Sequence, residues 1–175
     1  MRRLLLLRHA KAERAALSAP DRARTLDERG RKDAATMGAY LATHKLSPDR
    51  VLVSPAARTQ ETWTLAAAAW RPAPPAKTVP QLYDADPDAI VAAIQDAPAA
   101  AQTLLVVAHN PGLHELALLL IATGDIDARE RLREKLPTSG LVIIDFPYDA
   151  WADLHPQSGR LERFVSPRSL EAATN

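Results

Sequence analysis

Apolar residues in this chain come in short unbroken runs separated by stretches of helical spacing. "LLLL" (4–7), the apolar core of "RVLVSP" (50–55) and that of "TLLVVAHNPG" (103–112) are such runs. They are too short for helices and lack the alternation of a half-exposed strand, so each predicts a strand covered on both faces. Pro55 stops the second. Asp27 caps a predicted helix running to about Thr43, with Ala35, Met37 and Leu41 on its apolar face. "AARTQETWTLAAAAW" (56–70) predicts a second helix, followed by the loop "RPAPPAK". "TVPQLYDADPD" (78–88) reads as a short extended piece turning into a helix over "DAIVAAIQDA", and "LHELALLLIA" (113–122) as the helix after the third strand. "GLVIIDFP" and "LERFVSP" read as later strands, the second antiparallel and near an edge. "KAERAALSAPDRARTLDERG" (11–30) has no clear period and reads as a loop.

Strands alternating with helices predict an α/β fold: a single three-layer α/β/α domain with a mostly parallel central sheet over residues 1–175. Disorder is expected of the tail, about 168–175. Arg2 and Arg3 before the leucines suggest a secretory n-region, but the apolar run falls far short of the roughly 7 to 15 residues a signal core needs.

Composition narrows the function classes. The 175 residues are 47% hydrophobic and 25% charged, with a formal net charge of +1. No overall field points to nucleic acid or a membrane surface as a partner. With no cysteine, disulfides, a thiol nucleophile and a cysteine zinc site are excluded, which suits a cytoplasmic location. His114 lies five residues after His109, not the four that place two ligands on one helix face, so neither a metal nor another cofactor is expected.

Three predicted strands end in reactive or anion-binding residues: Arg8-His9, Ser54 with Arg58, and His109-Asn110. Singly, each has an ordinary reading, since an arginine after a strand is usually a solvated rim residue and a lone histidine usually structural. Parallel strands, however, bring all three ends to one edge, where ligands of open α/β sheets sit. Two imidazoles and two guanidiniums in one cleft suit a phosphoryl group. Arginine offers forked donors, helix N-termini offer N–H groups, and an imidazole is a competent nucleophile.

"LLLLRHAKAE", "VLVSPAARTQETW" and "LLVVAHNPGLHEL", in that order, resemble the histidine phosphatase superfamily, with its phosphoglycerate-mutase-like fold. The short chain, the Arg-His-Ala variant and "PTSGLVIIDF" resemble its SixA-like phosphohistidine phosphatase branch. The resemblance spans residues 3 to about 168. It implies that His9 is the nucleophile that becomes phosphorylated, that Arg8 and Arg58 hold the phosphoryl oxygens, and that His109 is the second pocket histidine. It also implies a metal-independent phosphatase acting on phosphohistidine of a protein partner, such as a phosphorelay domain. A phosphatase of small phosphoesters or phosphoanhydrides is the alternative, and a non-catalytic phosphate-binding protein a weaker one.

Two departures from the family pattern matter. Ala10 stands where glycine is usual, which weakens any requirement for a positive φ. The acid of the family matches Asp84 best and Asp86 second, and either also reads as a helix cap. A phosphoester leaves as an alkoxide and needs that acid, whereas a phosphohistidine leaves as an imidazole, so a weak acid signal leans toward P–N bonds. Arg24 aligns with an arginine at the cleft rim of relatives, or is a solvated loop charge. Thr138, Ser139 and Gly140 either approach the site or form a simple turn, with Ser139 the candidate for substrate binding. His44 and His155 read as surface residues, and Tyr83 as a packing group or part of the entrance.

Overall fold

The four consecutive leucines are explained by where their strand lies. In the computed structural model, which describes residues 1–174, β1 (Arg2–Arg8) is the middle strand of seven. Leu4, Leu5, Leu6 and Leu7 are each 0% exposed. Side chains alternate across a strand, so Leu4 and Leu6 enter one core and Leu5 and Leu7 the other. Both faces must therefore be apolar.

The sheet also contains β2 (Arg50–Val53), β3 (Ala76–Thr78), β4 (Thr103–Ala108), β5 (Ile121–Gly124), β6 (Leu141–Phe146) and β7 (Gly159–Val165), in the order β3-β2-β4-β1-β6-β7-β5. The first core is closed by α3 (Pro87–Gln95), α4 (Gly112–Leu120) and α5 (Ile126–Glu134), through Ile90, Ile94, Leu113, Leu116 and Leu132. The second is closed by α1 (Glu28–Thr43) and α2 (Ala57–Ala67), through Met37, Leu41, Trp63 and Ala66, with Leu170 of α6 (Pro167–Thr174) at its margin. The result is the expected three-layer α/β/α domain. Asp27 caps α1, accepting from the Gly30 N–H at 2.7 Å. Among the described residues no helix is long and apolar enough to cross a membrane.

Several elements differ from the sequence reading. The reversed strand is β6, antiparallel to both β1 and β7, so β7 runs with β1 and lies one place in from the edge. The helix expected through Ala122 stops at Leu120, and Ile121–Gly124 pairs with β7, as befits its β-branched Ile121 and Thr123. α5 buries only Ala128 and Leu132, too little apolar periodicity to stand out, although Asp125 caps it by accepting from Ala128 N–H. The extended piece expected from Thr78 is displaced toward the N-terminus: β3 takes in Ala76 and Lys77 of the expected loop and ends at Thr78, as an exposed edge strand on β2. The tail expected to be disordered is helical over Pro167–Thr174, and Asn175 lies outside the described residues.

Register fixes what the sheet edge presents. Arg8 stands opposite Ala108, and Val53 opposite Val107, so Arg8-His9, Ser54 and His109 emerge side by side. Because β6 is reversed, its start is at the same edge, with Leu141 opposite Leu7. The ladder continues past the strands: His9 N–H donates to Ala108 O, Ser54 N–H to Val107 O and Arg8 N–H to Gly140 O.

Candidate active site

His9 is the first residue beyond β1 and is buried. Its Nδ1 lies 2.8 Å from the Ala10 carbonyl, which can only accept, so the ring proton is on Nδ1 and Nε2 keeps its lone pair. The backbone around it is pinned. Ala10 N–H donates to Thr62 Oγ1, and Thr62 in turn donates to the Arg58 carbonyl. Lys11 O sits where a Cβ on Gly30 would be only 2.0 Å away, so only glycine lets α1 seat against this segment. Ala10 is not among the residues with positive φ, which is why alanine is tolerated there.

His109 follows β4, with its ring centroid 5.3 Å from that of His9. Ser54 Oγ lies 2.7 Å from His109 Nε2. A hydroxyl donating there places the His109 proton on Nδ1, which is buried and has no partner among the described residues. Burial pushes His9 down to about 4, helped by the guanidiniums of Arg8, Arg58 and Arg24. Burial, then His9 and Arg58, pushes His109 down to about 3. Both imidazoles are neutral at pH 7.

Two arginines flank them. Arg58 lies in the first turn of α2 and is buried, its Nη1 donating to Asp21 O and its Nη2 to Asp21 Oδ2, both at 3.0 Å. Arg8 Nη1 donates to Leu136 O at 3.0 Å, and that carbonyl also accepts from Asn110 Nδ2. Ser139, at φ 60°, is buried before β6, and its N–H donates to the carbonyls of Arg8 and His9. Four groups that can donate are buried without a partner among the described residues: Arg8 Nε, Arg58 Nε, His109 Nδ1 and Ser139 Oγ. Asn110 Oδ1 is the one acceptor in the same condition. A buried unpaired polar atom costs about 1–3 kcal/mol, so such a cluster beside one neutral imidazole calls for oxygens of an anion.

The remaining candidates stand at the mouth. Arg24 is half-buried and donates to Asp21 Oδ1 and to the Glu13 carbonyl, placing it at the rim. Tyr83 packs T-shaped against His109, the ring centroids 5.7 Å apart, and donates its hydroxyl to Asp21. Asp84 is exposed, at φ 52°, and accepts no hydrogen bond among the described residues. Asp86 caps α3, accepting from Ala89 N–H at 2.9 Å. The Tyr83–Asp86 turn is held beside His109 because Ala85 O sits 1.9 Å from where a Gly112 Cβ would be. His44 and His155 are exposed, and His114 hydrogen-bonds to Leu132 O, away from this cluster.

Asp21 is the residue that sequence reasoning missed. It sits in a short 3-10 turn, Asp21–Ala23, within the stretch read as a featureless loop, and nothing local signals its contacts with residues 37 and 62 positions away. A separate cleft of about 670 Å³ between β3 and α3, lined by Leu52, Val79 and Ala93 among others, shares no residue with the site.

Comparison with known proteins places these features in a family. A profile described as histidine phosphatase superfamily (branch 1) matches residues 4–89. An uncharacterised protein of Mycobacterium leprae (strain TN) is 33% identical over 149 residues, covering 85% of this chain and 89% of that protein. Among solved structures, a candidate phosphohistidine phosphatase SixA from Nakamurella multipartitia superposes with a TM-score of 0.82 at 28% identity, over 95% of this chain and 96% of that one. A second candidate SixA, from Agrobacterium tumefaciens, gives 0.80 at 28% identity, over 95% and 98%.

Proposed function

The chain belongs to the histidine phosphatase superfamily, on its SixA-like branch, and from that footing we propose that it is a metal-independent phosphatase working through a phosphorylated His9, with phosphohistidine on a protein partner as its preferred substrate. The observation that carries the reading is the cluster of buried, unpartnered donors around a neutral imidazole.

In this mechanism His9 Nε2 attacks phosphorus, and a P–Nε2 bond forms as the bond to the leaving group breaks. Arg8, Arg58, His109 and Ser139 donate to the equatorial oxygens, where charge is greatest, and Arg24 adds positive charge at the rim. Water then attacks the phosphoryl group on His9. Its proton passes to phosphate or solvent, and His9 regains its lone pair. His9 needs no prior deprotonation above about pH 5, given its depressed value.

The substrate preference follows from the acids available. Asp21 is ionised and already bonded, and Asp86 is committed to its helix. Asp84, exposed and without a hydrogen bond among the described residues, is the acid candidate for an alkoxide leaving group. An imidazole leaves without such help, and the two SixA neighbours are candidate phosphohistidine phosphatases. The freedom of Asp84 favours a second reading, hydrolysis of small phosphoesters or phosphoanhydrides.

The test is turnover of phosphohistidine peptides and of a panel of small phosphoesters, with and without EDTA, by wild type and His9→Ala. Expected are chelator-resistant turnover, an acid-labile, alkali-stable phosphate on the wild type, and none on His9→Ala. Near-normal turnover by folded His9→Ala, or loss in EDTA restored by a divalent metal, would overturn the mechanism.

A further inference from the structure

Arg58 meets the cleft with two of its three guanidinium nitrogens already engaged. Its Nη1 and Nη2 are held by the carbonyl and the carboxylate of one residue, Asp21, while Nε is buried and has no partner among the described residues. The same carboxylate accepts from the Tyr83 hydroxyl and from Arg24 Nε. Arg22 lies over the Tyr83 ring, 4.4 Å from its centroid. The Asp21–Ala23 turn is thus tied across the cleft mouth to the turn before α3. The Arg58 side chain is 6% exposed and that of Asp21 45%, so a buried cation has its ionic partner at the surface. The Tyr83 hydrogen bond, followed by those of Arg24 and Arg58, holds the Asp21 carboxyl down at about 2 despite some desolvation, so it stays charged.

We propose that Asp21 is a positioning residue that shares Arg58 with the transferred phosphoryl group: it fixes the guanidinium by its two Nη atoms, turns the Nε edge to the phosphoryl oxygens, and by its charge loosens the hold on phosphate. This rests on the phosphatase reading above. Two anions facing one guanidinium repel each other, so the carboxylate lowers affinity for any second anion there. A pocket of buried donors with uncompensated cations would bind product phosphate tightly and release it slowly. Fixing the guanidinium in advance, meanwhile, spares its ordering at the moment of reaction.

The experiment uses the full chain with inorganic phosphate as probe, measured by titration calorimetry at pH 7.5 and as product inhibition of aryl phosphate turnover. Asp21→Asn keeps an oxygen for Arg58 and Tyr83 but removes the charge. Phosphate should then bind roughly three- to tenfold tighter, with the inhibition constant falling in step. Asp21→Ala loses charge and orientation together, so kcat should fall roughly tenfold, with Asn recovering most of that loss. Unfolding midpoints establish that both variants are folded, and Asp21→Asn alone decides the charge effect if Asp21→Ala is not. Equal or weaker phosphate binding by Asp21→Asn overturns the role given to Asp21 while leaving the phosphatase reading intact. A wild type that neither binds phosphate nor turns over any phosphorylated substrate overturns both.

Discussion

The floor of the cleft and its rim are held by different means. His9, Arg58 and His109 are 8%, 5% and 7% exposed, and they stand at strand or helix ends pinned by the sheet ladder and by Ser54 and Thr62. Asp21, Tyr83 and Asp84 stand on turns, joined by side-chain hydrogen bonds or, for Asp84, by none among the described residues. A group whose geometry is over-determined by secondary structure suits a part of the substrate that never varies, here the phosphoryl group. Residues on turns suit the part that does vary, the leaving group. On this view rate resides in the floor and selectivity in the rim.

The sharpest break of that comparison is Arg58→Ala. It removes a donor that the proposed mechanism directs at the transferred group, and it should lower kcat/KM by roughly 1000-fold on phosphohistidine and aryl phosphate alike. Arg58→Lys should recover little, because an ammonium offers no planar fork for Asp21 and phosphoryl together. A loss confined to one substrate would place Arg58 with the leaving group and undo the division.

The same division governs what could be read from sequence. The floor was legible because each of its residues follows an apolar run that must be a buried strand, and parallel register then aligns the ends. Ser139 was half legible: its approach depends on the reversal of β6, whereas the sequence pattern puts the reversed strand at "LERFVSP". The rim was not legible, since Asp21 acquires its role from residues far along the chain that only the fold brings near. β5 was hidden by the leucines before it, which continue the helical pattern into Ile121. α5 was hidden for the opposite reason, having too few apolar positions.

Asp84→Asn tests the rim directly. If Asp84 donates the proton to a departing alkoxide, aryl or alkyl phosphate turnover should slow by on the order of 100-fold. Phosphohistidine turnover should change far less, because its imidazole leaves already protonated. Measuring kcat/KM for both substrates across pH separates the two patterns. Equal losses would sink the leaving-group distinction. No loss on either would pass the acid role to water and leave Asp84 a turn residue, for which its positive φ is sufficient reason.

The smallest expected effect concerns stability and asks whether the floor is as dry as its burial implies. His9 and His109 titrate near 4 and 3 in the folded chain, against about 6.5 when unfolded. Well above pH 6.5 both states hold neutral imidazoles and neither histidine makes stability depend on pH. As pH falls from 6.5 toward 4, the unfolded chain takes up protons that the native pocket refuses, so stability declines. At pH 5 the decline reaches about 2 kcal/mol for each histidine. His109→Asn removes one of the two. Relative to wild type it should therefore gain about 2 kcal/mol between pH 7.5 and pH 5, whatever its packing costs at neutral pH. Urea unfolding of both proteins at the two pH values, in buffer free of phosphate, measures this difference of differences. Curves that stay parallel would mean that His109 is charged as readily in the pocket as in the unfolded chain. The donor that the floor offers to a phosphoryl oxygen would then be an imidazolium at acid pH, and the contrast between a dry floor and a wet rim would have to be redrawn.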